Sequence, residues 1–174
     1  MKTQFRICPN CNCALSLHPY QPNLLYKCVC GLTRWINYMD ILKFKDITMG
    51  RDSQYQNEFT DEIKQNIQIL LERVNPLLNE LKITSASVTS GWRPAAINAN
   101  TAGAAKKSAH QSGQAVDILD DKDKKLAKLI LNNKGLLEKY NLFMENPDYT
   151  NGQHTNWVHL QCRPTKSGNR IFIP

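Results

Sequence analysis

The chain has 174 residues, which suits one ordinary domain or one domain plus a small module. Its 22 Lys and Arg residues outnumber its 15 Asp and Glu residues, which gives a formal net charge of +7. A hydrophobic content of 41% argues against intrinsic disorder, and no apolar run approaches the ~18 residues of a membrane span. The polar start MKTQFRICPNCNC does not resemble a secretory signal, so we expect a protein that is cytoplasmic at synthesis.

Five of the six cysteines lie within the first thirty residues: Cys8, Cys11, Cys13, Cys28 and Cys30. In a reducing compartment, clustered thiols are more often metal ligands than disulfides. The pairs Cys8/Cys11 and Cys28/Cys30 offer the four soft ligands of a structural zinc, in a layout that resembles a zinc ribbon. Cys13 or His18 could replace one ligand, and free cysteines in a packed hairpin remain the alternative. We predict a zinc-ribbon-like module over residues 1–45.

From residue 46 to 174 the composition is that of a regular globular domain. Its clearest element is a helix over residues 61–81, where apolar residues recur every three or four positions and form one stripe. Thr60 is the predicted N-cap. Pro76 is expected to kink the helix or to end it early, because proline cannot donate the backbone hydrogen bond.

Shorter elements follow, which we predict as strands at 85–90, 115–119, 141–145 and 157–162 and a helix at 122–132. This order mixes helices with strands that are not joined by regular crossovers. We therefore predict an α+β fold with an antiparallel sheet and flanking helices.

Three residues of this domain form a candidate metal site. His110 precedes Asp117 by seven residues, with Gly113 allowing a turn between them. In the strand at 157–162 the two-residue period places Trp157, His159 and Gln161 on one face. Two histidines, one carboxylate and one open position are typical of a catalytic zinc site.

The segment 108–117 reads Ser-x-His-x-x-Gly-x-Ala-x-Asp. It resembles the signature of the zinc D-alanyl-D-alanine carboxypeptidases and related murein peptidases, which have the hedgehog/DD-peptidase fold. Ser-Gly-Trp-Arg-Pro at 90–94 is similar to the family's S-G-[YW]-R segment, and Trp-Val-His at 157–159 to its W-x-H ending. The opening at 48–52 and the helix after it resemble small peptidase domains of phages and bacteria. The resemblance covers residues ~46–174.

The resemblance implies a role for each matching residue. His110, Asp117 and His159 would bind the catalytic zinc. Arg93 would bind the terminal carboxylate or a peptide carbonyl of the substrate, which suits its planar guanidinium. Ser108 would bind substrate or shape its loop. Trp157 is assigned to substrate binding on the same basis.

The sequence departs from the family at the position of the general base. Many members carry Glu three residues before the last His, but this chain has Asn156, and an amide is no base at neutral pH. Related small members carry a Glu at the place of Glu145, which we rank first. His154 could also move protons near neutral pH. Asp148 is the third candidate.

These readings predict a zinc-dependent peptidase that cuts peptidoglycan stem peptides at a bond involving D-alanine, with carboxypeptidase and endopeptidase action both open. We expect two zinc ions, one catalytic and one structural, in a monomer that reaches the cell wall through a holin or in a virion. A non-catalytic zinc-binding or cell-wall-binding module on the same fold is the alternative. Nucleic-acid binding is disfavoured because the cysteine-rich module has few basic and aromatic residues.

Overall fold

A computed structural model describes residues 40–152 and 155–174, together with the backbone of four short strands before them. The chain divides into two compact units, Met1–Met39 and Asp40–Pro174. The division predicted between residues 45 and 46 stays a prediction.

The described residues of the N-terminal unit form two antiparallel strand pairs. They are β1 (Phe5–Ile7) with β2 (Ala14–Ser16), and β3 (Leu25–Lys27) with β4 (Thr33–Trp35). In the sequence, the first pair of predicted cysteine ligands falls between β1 and β2, and the second pair between β3 and β4. All the predicted ligands of this unit, Cys8, Cys11, Cys28 and Cys30 with the alternatives Cys13 and His18, lie outside the described residues. The zinc ribbon therefore stays a prediction.

The second unit is built on one five-stranded sheet. Its strands are β5 (Val88–Ser90), β6 (Ala115–Asp120), β7 (Phe143–Glu145), β8 (Asn156–Gln161) and β9 (Ile171–Phe172), in the order β5-β6-β8-β7-β9. Neighbours are antiparallel except β7 and β9, which pair in parallel. The mixed α+β class is confirmed. The expectation of a wholly antiparallel sheet is wrong at one edge, because β9 spans two residues and shows no period in the sequence.

The helices of this unit are α1 (Phe44–Thr48), α2 (Arg51–Gln54), α3 (Asp61–Glu80), α4 (Ala95–Ala99), α5 (Lys125–Asn132) and α6 (Gly135–Lys139). Both predicted helices and all four predicted strands are present, with ends that shift by up to three residues. Among the described helices, none combines the length and apolar character needed to cross a bilayer.

The long helix α3 supplies much of the core. The Thr60 hydroxyl accepts a hydrogen bond from the Ile63 N–H at 3.3 Å, which confirms the predicted N-cap. The helix continues through Pro76 to Glu80, so the expectation of an early end is wrong. A mid-helix proline costs about 3 kcal/mol, whereas burying a leucine side chain contributes about 1.5–3 kcal/mol. Leu77 and Leu78 are both fully buried beyond the proline, so packing outweighs that cost.

The core also takes in the start of the unit. Leu42 is buried, and its backbone N–H and C=O both bond the side-chain amide of Asn75 on α3, at 2.8 and 2.9 Å. The fully buried Trp92 follows β5, and its ring packs on Phe59 with centroids 4.8 Å apart. The Trp92 contact fixes the chain directly after Gly91.

Candidate metal centre

The central strand pair places two of the predicted ligands side by side. Asp117 on β6 lies directly opposite His159 on β8, so both side chains project from the same face of the sheet. His110 comes from the loop before β6. That loop turns at Gly113, which has φ +71° and packs so closely on α3 that an added Cβ would lie 2.9 Å from the Ile67 side chain. Glycine is therefore required for the loop to bring His110 to the sheet.

The three side chains meet at a small triangle of donor atoms. His110 Nε2 lies 3.2 Å from His159 Nδ1 and 3.3 Å from Asp117 Oδ1, and the remaining edge is 2.7 Å. A tetrahedral zinc with bonds of about 2.0–2.1 Å has ligand atoms roughly 3.3 Å apart. The triangle fits that spacing with little movement. All three residues are buried and are placed to bind one metal ion.

The other ring nitrogen of each histidine is also occupied. His110 Nδ1 donates to the Gly91 carbonyl oxygen at 2.8 Å, and His159 Nε2 lies 3.2 Å from Gln161 Oε1. The Gln161 amide presents its oxygen to His159 because its Nε2 donates to the Arg163 carbonyl at 2.6 Å. With a proton held on the far nitrogen, each imidazole presents its lone pair to the metal position. Gln161 carries a role that the sequence analysis missed, although the two-residue period had placed it on the face of His159.

The Gly91 anchor is itself held by close packing. An added Cβ at Gly91 would overlap the carbonyl oxygen of Ile47 on α1. The neighbouring Trp92 N–H donates to that same oxygen at 2.8 Å. The carbonyl that orients His110 is therefore fixed by the contact between this segment and α1.

Arg93 holds the carboxylate ligand. Its Nη2 donates to Asp117 Oδ2 at 2.9 Å, and its Nε donates to the Ser90 hydroxyl at 2.8 Å. Asp117 Oδ1 is thereby left to face the histidines. Arg93 is 9% exposed and acts here as a positioning residue. Its predicted role in substrate binding stays a prediction.

The protonation states suit metal binding. Burial raises the pKa of Asp117, but the charges and hydrogen bonds of His110 and His159 outweigh burial and hold that pKa well below its usual range. Burial lowers the pKa of His110 against the attraction of Asp117, so this imidazole is neutral at neutral pH. Burial also opposes the charged form of His159, but its bond to Asp117 prevails and raises its pKa. A metal ion therefore competes with a proton at His159.

Glu145 lies beside this centre at the end of β7. Strands β7 and β8 pair Phe143 with Gln161 and Met144 with Leu160. The next position in this register places Glu145 opposite His159. Glu145 is half-buried, and among the described residues it makes no hydrogen bond or ion pair. Burial raises its pKa; His159 and Arg93 pull that pKa down, and Asp117 adds to the rise. A carboxylate with a raised pKa next to a metal position is what a general base requires.

The other base candidates are placed differently. Asn156 donates its amide to the carbonyls of Asp121 at 2.9 Å and Lys122 at 3.3 Å, so it holds the turn after β6. Asp148 is exposed and lies 3.8 Å from the ammonium group of Lys124. His154 lies outside the described residues.

The two residues assigned to substrate binding border the site. The Ser108 hydroxyl accepts a hydrogen bond from the His110 N–H at 3.3 Å, so it shapes the loop that carries this ligand. Trp157 is half-buried, two residues from His159 on the same face, and pairs with the exposed Leu119. Substrate binding by either residue stays a prediction.

Comparison with known proteins agrees with this geometry. The Peptidase M15 family matches residues 41–161, which is more than half of the chain and includes all three metal-binding candidates. No curated protein and no solved structure gives a match. The family and the buried His-Asp-His group together support a zinc metallopeptidase with one zinc ion in this unit. The chain belongs to the Peptidase M15 family.

Proposed function

We propose that this protein is a zinc-dependent peptidase that hydrolyses peptidoglycan stem peptides at a bond involving D-alanine. The observation that carries the proposal is the donor triangle of His110, Asp117 and His159, with both far ring nitrogens already bonded to oxygen acceptors. The substrate class is supported by the resemblance of segments 90–94, 108–117 and 157–159 to murein peptidases.

The protein's own part in the reaction is to hold its ligands and to manage protons. When bound, zinc polarises the scissile carbonyl and makes a water molecule acidic enough to attack it near neutral pH. Arg93 bonds one oxygen of the Asp117 carboxylate and so keeps the other turned toward the histidines. The carbonyl of Gly91 and the amide of Gln161 hold the two rings, so the three ligands need little reorganisation.

Glu145 is the proposed general base. Its carboxylate takes the proton of the attacking water and later delivers it to the nitrogen of the leaving amine. Its raised pKa supports this role, because a base works best when its pKa lies near the operating pH. His154 is the second candidate and would act from the segment after Gly152.

A non-catalytic module that binds zinc and the cell wall is the competing function. It is favoured by one observation, that the family's Glu position is filled by Asn156, whose amide is engaged in holding a turn. Such a module would bind stem peptides without cutting them.

The test is product formation. Zinc-loaded protein is incubated with stem peptides ending in D-alanyl-D-alanine and with cross-linked dimers, and products are read by mass spectrometry. Released D-alanine indicates a carboxypeptidase, and split cross-links indicate an endopeptidase. His110→Ala is the control, which should lose both zinc and product. If wild-type protein with zinc in this site binds the peptides but yields neither product, the enzyme proposal fails and the binding module replaces it.

The N-terminal unit holds a second, structural zinc in this proposal, with Cys8, Cys11, Cys28 and Cys30 as its ligands. The support is that three thiols fall in the sequence between β1 and β2 and two between β3 and β4. Metal analysis should give two zinc ions per chain, and Cys8→Ala should remove one without touching the His110 site. A wild-type count of one would contradict the ribbon.

A further inference from the structure

Arg51 lies against the segment that organises the metal centre. It is the first residue of α2, half-buried, and its Nη1 donates to the Trp92 carbonyl at 2.6 Å. On one side of Trp92, the Gly91 carbonyl orients His110; on the other, Arg93 orients Asp117. Arg51 is therefore anchored between the supports of two metal ligands, although 59 residues separate it from the first of them.

The Arg51 guanidinium has no acidic ion-pair partner within residues 40–152 and 155–174. No carboxylate among the described residues forms an ion pair with Arg51, including Asp52 beside it on the same helix. Burial and then the positive charge of Arg93 lower the pKa of Arg51, with Tyr55 opposing. Arg51 thus lies close to a second guanidinium, that of Arg93, which is itself paired with Asp117. A half-desolvated cation without a counter-charge favours an incoming anion.

Arg93 is poorly available for that anion. Its Nε and Nη2 are committed to Ser90 and Asp117, and the side chain is buried. Arg51 makes one hydrogen bond, through Nη1, to the described residues, and a guanidinium offers five donors in a planar fork. The free edge of that fork matches the two oxygens of a carboxylate.

We propose that Arg51, rather than Arg93, is the residue that binds a carboxylate of the peptide substrate and sets the enzyme's preference for acidic peptides. This inference rests on the proposed peptidase function. It divides two tasks between two arginines: Arg93 positions the ligand Asp117, and Arg51 recognises the substrate. The carboxylate is either the C-terminal one or that of an acidic side chain next to the cut bond.

The test compares matched substrates and matched variants. One substrate pair is a stem peptide ending in D-alanyl-D-alanine as the free acid and as the C-terminal amide. A second pair carries either an acidic residue or its amide beside the scissile bond. The protein is zinc-loaded wild type, Arg51→Gln, Arg51→Lys and Arg73→Gln. Arg73 is the matched control because its Nη1 also donates to backbone carbonyls, those of Asn141 and Cys162.

Wild type should cut the acid of one pair faster than its amide by about 10- to 100-fold, the range expected for a hydrogen-bonded charge. Arg51→Gln should bring that ratio to about one by slowing only the acid, and Arg51→Lys should restore part of it. Arg73→Gln should keep the wild-type ratio. The pair that responds identifies the source of the carboxylate. An unchanged ratio in a folded, zinc-loaded Arg51→Gln overturns the proposal, as does an equal fall in Arg73→Gln.

A binding measurement separates this inference from the proposed function. The same pairs are made with an uncleavable ketomethylene link, and their affinities are measured by calorimetry with all four proteins. If wild type cuts nothing, the peptidase proposal fails, but an acid preference that disappears in Arg51→Gln still supports carboxylate recognition. If peptides are cut and neither rate nor affinity depends on the carboxylate, Arg51 has no such role.

Discussion

Strand β6 carries two buried carboxylates, three residues apart, with opposite tasks. Asp117 is surrounded by side-chain nitrogens, those of His110, His159 and Arg93. Asp120 is surrounded by backbone N–H groups: its oxygens accept from Asp121, Leu126 and Ala127, each at 2.9 Å, and so hold the start of α5. Both carboxylates have hydrogen-bond partners, and less than a tenth of the surface of each residue is exposed. Burial of an acid therefore does not mark a functional site, whereas the nature of its partners does.

The largest effect should come from the carboxylate with side-chain partners. Asp117→Asn removes a metal ligand and leaves Arg93 buried without its counter-charge, which costs about 3–5 kcal/mol when a buried pair is broken. We expect loss of zinc from this site and activity at background, measured by metal analysis and peptide hydrolysis.

Asp120→Asn is the matched control for that change. It keeps one oxygen acceptor for the helix start, so we expect a loss of about 1–3 kcal/mol in unfolding free energy with zinc and turnover retained. If Asp117→Asn and Asp120→Asn lose zinc equally, the two carboxylates do not have different tasks.

Glu145→Gln should have the next largest effect. General acid–base catalysis contributes about 10²- to 10⁴-fold, so kcat should fall by that factor while zinc content is unchanged. Burial raises the pKa of Glu145 in the folded chain, so its ionisation costs stability. That cost grows as pH rises from the ordinary glutamate pKa to the raised one and is fully present above it. The variant should therefore be at least as stable as wild type at pH 7.

The pH profile gives the same base a second test. Because the ionised form is the active one, the acidic limb of kcat/KM should rise at a higher pH than an ordinary glutamate would give, and Glu145→Gln should lack that limb. A limb that persists in the variant would assign it to another group, with His154 as the first alternative.

Gln161→Leu should have a moderate effect on the metal alone. It removes the acceptor that fixes the ring of His159, and partners of this kind are worth about 10- to 100-fold in metal affinity. Competition with a chelator measures the change. Gln68→Leu, which alters a side chain on α3 bonded to Glu72, should have no effect on affinity.

The smallest expected effect is the release of protons when zinc binds. The bond to Asp117 raises the pKa of His159, so zinc competes with a proton there, and its affinity should fall as pH drops. Calorimetry in buffers of different ionisation enthalpy should give proton release on binding near and below that pKa. If Cys8→Ala releases the same number of protons as wild type, the release belongs to the His110 site.

Much of this architecture could be predicted from the sequence because it depends on residue patterns within single helices and strands. The stripe of α3 and the alternation of β8 follow from periods within one element, and both are observed. His110 and Asp117 could be paired because one short motif holds both. Gln161 and Arg51 could not be assigned, because their roles depend on an amide orientation and on a contact across 41 residues, from Arg51 to Trp92, that only the closed fold creates. Strand β9 is too short to carry a period.

The contact of Gly91 with α1 limits which residues can replace this glycine. Alanine is the smallest side chain that could replace this glycine, yet its methyl group would overlap the Ile47 carbonyl oxygen and force the segment off the helix. The carbonyl under His110 and the backbone of Arg93 would move together. Position 91 is therefore closed to substitution, whereas position 51 carries the proposed contact with the substrate. A directed-evolution library aimed at new peptide substrates should hold the first constant and randomise the second.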